Sequence, residues 1–175
     1  PNRFIINIQP EQRQALASEL QGLGIAAELL PVIRARLVRI GEQAVSPASY
    51  PEDERAQRLI EREFNLSWRG DLPEGNRVVA GAWFAPDEAG QGLASVEEGL
   101  ARTLGIKLGD ELVFMVAGLE KKLRVSSLRK LSWDSMRVNF FVLTPPGVLE
   151  PYPASYITSF HLPAARAGLV NDLVR

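Results

Sequence analysis

The feature that most constrains the fold is a period of two. In the run from Leu108 to Trp133, Leu112, Phe114 and Val116 fall on one face, and Ala117-Gly118 lies near the reversal. Leu123 and Val125 then return along the neighbouring strand. Such alternation cannot be served by a helix, whose faces repeat every three to four residues. A β-hairpin and its continuation are predicted, entered through a turn at Gly109-Asp110.

The flanking segments add helices. Arg3–Ile8 ("RFIINI") is rich in β-branched residues and predicts a strand. Pro10 suits a helix start, Ala15, Leu16, Leu20 and Leu23 repeat at helical spacing, and Gly22 and Gly24 give the stop. "PVIRARLVRI" alternates again, so the chain opens as strand, helix, strand. Ser46 to Pro51 reads as a connector and a first internal boundary. "PEDERAQRLIEREF" has the acidic start and later arginines of a helix, or is a loop with a short strand. "NRVVAGAWF" predicts a strand. Ser95 with Glu98 matches a capping box, for a helix "VEEGLARTLGI" ending near Gly105. "RVNFFVL" is a further strand, stopped by Pro145-Pro146-Gly147. "ASYITSFHL" is another, and Pro163 starts a last helix. The fold class is α+β, with strands in the majority.

At 175 residues the chain can bury a core unaided, and its net charge of −1 gives no general attraction to nucleic acid or anionic lipid. Lys121, Lys122, Arg124, Arg129, Lys130 and Arg137 form a local basic cluster, read as a solvated strand face. The absence of cysteine excludes disulfides, thiolate metal sites and cysteine nucleophiles. No apolar run approaches the ~18 residues of a membrane span. The chain opens on Pro1 with no signal peptide and reads as a segment of something larger.

Catalytic chemistry finds little support. A serine hydrolase would have to combine Ser132 or Ser135 with the single histidine, His161, and no Gly-x-Ser-x-Gly elbow is present. Asp87 and Glu88 lack the spacing of a calcium loop, and Glu52, Asp53 and Glu54 suit a helix N-terminus better than a metal. "GIKLGD" is no phosphate loop. Trp68, Trp83 and Trp133 are expected to pack in the core or at a lobe interface with their N–H groups paired. No cofactor and no catalytic residue is expected.

"TLGIKLGDELVFMVAG…KLRVSSLRKLSWDSMRVNFFVLTPPGVL", followed by "PASYITSFHLP", resembles the large extracytoplasmic domain of YbbP-type ABC-transporter permeases, in the FtsX/MacB/LolC superfamily. "DERAQRLIEREFNLSW", "LPEGNRVVAGAWF" and "PNRFIINIQPEQ" look like the same branch, so the resemblance covers nearly the whole chain. It implies a two-lobed, MacB-like periplasmic core. The strand-helix-strand, porter-like lobe would span 1–50 and 138–175, and a mostly β insert 51–137. Trp133, Asp134 and Arg137 would lie at the crossing between lobes, with Val138 to Leu143 re-entering the porter-like lobe. The parent implied is a bacterial inner-membrane permease with this domain in the periplasm. It would work as a dimer with a cytoplasmic ATPase subunit, pass motion outward, and act on apolar or lipid-like cargo, with a periplasmic esterase or thioesterase as a further partner. The alternatives are a passive lipid or acyl-chain binding module and the serine hydrolase.

Overall fold

The computed structural model describes residues 3–25, 27–132 and 138–160. Among them are ten strands and three α-helices, so strand exceeds helix as the alternation predicts. The chain divides into two compact units, one of 1–32, 133–138 and 154–175, the other of 33–132 and 139–153.

The first unit contains β1 (Arg3–Ile8), α1 (Pro10–Gly22), the beginning of β2 (Glu28–Ile40) and β10 (Ser155–Phe160). β10 lies between β1 and β2 and is antiparallel to both. β1 and β2 are therefore parallel, with α1 as the crossover of a split β-α-β unit. Helix α1 begins at Pro10, where a missing N–H costs nothing, and the Gln9 N–H donates to Gln12 Oε1 (3.1 Å). Leu16 and Leu20, four apart, meet Ile8 and Ile25 in a small core. Ile5, Leu23, Leu29 and Tyr156 pack around it.

The second unit is built on a ring. The later part of β2 pairs β4 (Phe64–Trp68), β4 pairs β9 (Val142–Thr144), and β9 pairs β6 (Leu93–Glu97). β6 pairs β8 (Leu119–Leu131), β8 pairs β7 (Glu111–Val116), and β7 returns to β2. Arg39 faces Ala44 of β3 (Gln43–Ala44) on one edge of β2 and Val113 of β7 on the other. The six strands thus close into a small barrel, whose interior side chains fill it. Ile33, Leu66, Leu112, Phe114, Leu123 and Leu143 are all at most 1% exposed. Phe64 meets Phe114 edge to face at 6.2 Å. The strand β5 (Asn76–Gly81) is added along the later part of β8. Helices α2 (Glu54–Glu61) and α3 (Glu98–Leu104) complete the unit, and Asp53 caps α2 by accepting from the Ala56 N–H (2.9 Å).

Three expectations are corrected. The units part between Val32 and Ile33, not at 50/51, because β2 runs unbroken for 13 residues and its later part pairs β4 and β7. The strand expected over 138–143 is shorter, and it does not re-enter the first unit. Val142–Thr144 is wedged between β4 and β6, both in the second. Ser95 is no helix cap: it is buried mid-strand in β6, and Glu97 caps α3 with its carboxylate on the Gly99 and Leu100 N–H groups (2.8 and 2.6 Å).

Candidate functional site

The residues assigned from sequence to the crossing, Trp133, Asp134 and Arg137, lie outside the described residues, as do Ser135 and His161. The chain on either side of 133–137 is described, and it converges on one buried cation.

Arg129 belongs to the basic cluster expected on a solvated face, yet it is 0% exposed. Its position explains this. Leu123, Val125, Ser127, Arg129 and Leu131 alternate along β8, and all five are buried. The guanidinium therefore points inward with the apolar residues. All three of its nitrogens donate. Nε–H donates to Ser95 Oγ (2.8 Å), one terminal nitrogen to Asn76 Oδ1 (2.5 Å), and the other to the carbonyls of Ser95, Phe140 and Phe141 (3.2, 2.9 and 3.1 Å). Ser127 adds an O–H donation to Ser95 Oγ (2.6 Å).

The acceptors are neutral. Glu97, 6% exposed, is the negative charge acting on Arg129, but its oxygens are engaged by the first turn of α3. Burial pulls the Arg129 pKa down to about 10, and Glu97 opposes that pull. The cation is thus carried chiefly by carbonyl and hydroxyl dipoles, a fully donated arrangement that a buried charge requires.

The segment beyond is fixed to the same unit. The Glu97 N–H donates to the Phe141 carbonyl (2.8 Å) and the Arg69 N–H to the Thr144 carbonyl (3.1 Å). β9 stops at Pro145, as the double proline predicts, and the Gly90 N–H donates to the Pro146 carbonyl (2.7 Å). Gly147 has φ +90, and a Cβ there would lie 2.9 Å from the Gly90 nitrogen, so only glycine permits this approach.

The described residues line cavities in each unit. One of about 600 Å³ in the first unit is lined by β1 and α1, including Ile5, Ile8, Leu16, Glu11 and Glu19. Phe4 and Ile6, exposed by 45% and 66%, border it. The other, about 560 Å³ in the second unit, is lined by Tyr50, Lys107 and Asp110 among others, and the Tyr50 hydroxyl donates to the Leu104 carbonyl (2.6 Å). Of the tryptophans, Trp68 lies in β4. Trp83 lies beyond the end of β5, where its Nε1–H donates to the Gly70 carbonyl (2.9 Å) and its ring packs on Phe84. Among the described residues no three His, Cys, Asp or Glu cluster as a metal site, and no helix is long and apolar enough to cross a membrane.

The buried polar chemistry is turned on the chain's own side chains and backbone carbonyls. Similarity supplies the class: the chain is related to the ABC-transporter permeases. The particular relative is YbbP of Escherichia coli (strain K12), named as an uncharacterized ABC transporter permease, with 42% identity over 161 residues. The match takes in 91% of this chain but spans only 19% of that protein. The chain therefore belongs with the YbbP-type permeases. No family model matches it. A crystallised domain of a Porphyromonas gingivalis protein described as a permease superposes with a TM-score of 0.43 at 15% identity, covering 89% of this chain and 65% of that one.

Proposed function

We propose that the chain is the extracytoplasmic domain of a bacterial ABC-transporter permease, which couples ATP hydrolysis by a cytoplasmic partner subunit to work in the periplasm. The observation that carries this reading is the 42% identity with YbbP across 91% of the chain. The domain works by transmitting motion, within a dimer of the parent permease. Apolar or lipid-like cargo and a periplasmic esterase or thioesterase complete the assembly. Catalysis of ATP hydrolysis belongs to the separate subunit.

The chain has no cysteine, so single cysteines report its location against a clean local background. Leu119, the first residue of β8, is 64% exposed. In the parent permease, Leu119→Cys is expected to react with a membrane-impermeant maleimide in cells whose outer membrane alone has been opened. Labelling that appears only after the inner membrane is broken would place the domain on the cytoplasmic side and end this reading.

The groove between β1 and α1, with Phe4 and Ile6 exposed, favours a second reading as a passive acyl-chain module. Lipid retained by the purified chain and lost in Ile6→Glu, read by mass spectrometry, would support it; a chain that purifies free of lipid would not.

A further inference from the structure

β8 ends at Leu131, whose ladder partner on β5 is Asn76, and the Ser132 N–H donates to the Gly75 carbonyl (2.9 Å). The chain next enters the second unit at Asn139, and Phe140 is 8% exposed. These departing and returning ends meet at Arg129. One terminal nitrogen of its guanidinium holds Asn76, beside the departing end, and the other holds the Phe140 and Phe141 carbonyls, on the returning end.

We propose that Arg129 is a positioning residue that clamps the two ends together, fixing the register in which Val142–Thr144 enters the ring. The chemistry suits the task. A guanidinium has five N–H donors in a rigid plane, so it can serve acceptors on separate strands at once. The carboxylate that acts on it, Glu97, is engaged at the start of α3, which leaves the fork for carbonyls. β9 itself is only three residues long and offers few ladder bonds of its own. Its far end is held by the Arg69 N–H on Thr144 and the Gly90 N–H on Pro146, and at its near end Arg129 and the Glu97 N–H reach Phe140 and Phe141. A pull on the returning end is delivered through Arg129 to β6, β8 and β5 together, and β9 does not peel alone. The inference concerns this chain alone and stands apart from the transport reading.

Amide hydrogen exchange of the 175-residue chain tests it. Arg129→Met removes the donors and the buried charge while keeping an unbranched apolar stem. The substitution leaves Asn76 Oδ1 and the Phe140 and Phe141 carbonyls without this donor and lowers stability overall, so exchange is compared peptide by peptide. The clamp predicts exchange at least about tenfold faster in peptides covering 138–144, with peptides of β7 and the first half of β8 changed by less than about threefold. Equal acceleration across the unit would make Arg129 a general core residue and overturn the proposal, as would no change at 138–144. If Arg129→Met does not fold, Arg129→Lys retains the charge but cannot reach both strands. The clamp then predicts a smaller acceleration confined to the same peptides, and a uniform or absent change overturns it.

Discussion

Single side chains decide several local outcomes. Gly81 has φ +72, and a Cβ there would collide with the Ser126 carbonyl oxygen on β8. Gly81→Ala is expected to cost about 1–3 kcal/mol, read from the denaturant midpoint, because both the backbone angle and the space are lost. Tyr50 is held neutral by burial, which raises its pKa above the ordinary 10. Its contribution is present below pH 10 and lost as pH rises through the folded value, since only the unfolded chain ionises in that window. Tyr50→Phe should therefore weaken the chain by about 1 kcal/mol at neutral pH, through the bond to Leu104. The same variant should show a shallower loss of stability than the parent as pH rises above 10, measured by urea titration. Arg129 is the residue whose place was legible and was missed. Counting by twos from Leu123 and Val125 lands on it, and the charge of its neighbours masked that parity.

Among elements, the strongest periodicities transferred well. The β7–β8 hairpin, α1 after Pro10, β1 and the stop at Pro145 follow directly from alternation, helical spacing and proline chemistry. α2 resolves an open choice: its N-terminus is set by Asp53, and β4 follows it. Asp53→Ala should cost about 1 kcal/mol, seen as a lowered melting temperature. β6 was misread as a helix start because Ser95 and Glu98 have capping-box spacing. Five consecutive buried residues with partners on both edges outweigh that local signal. β9 was placed against the wrong neighbours for a related reason. Its pattern shows an apolar strand, but no local residue encodes whether β4, β6 or β1 lies beside it. That information resides in long-range pairing.

At the level of the molecule, each unit has a core of its own. Leu20, 2% exposed, is central to the first, and Leu66, 0% exposed, to the second. Leu20→Ala and Leu66→Ala should each cost about 2–5 kcal/mol. Exchange should separate them: Leu20→Ala frees the amides of α1 and β10 first, and Leu66→Ala those of β4 and β9. A single loss of protection across both units in each variant would show that the two cores melt as one. The boundary at Val32 was hidden in the sequence because it falls inside a strand, where composition does not change.

The position of β9 in the ring also sets a timetable for synthesis. β4 and β6 are complete by residue 97, yet the strand that joins them starts at 142. Until that stretch leaves the ribosome, each of the two presents an unsatisfied edge, and the cation on β8 lacks the carbonyls that will receive it. The nascent chain is thus most exposed to mispairing between the completion of β6 at Glu97 and that of β9 at Thr144, and closure arrives late with three residues of strand.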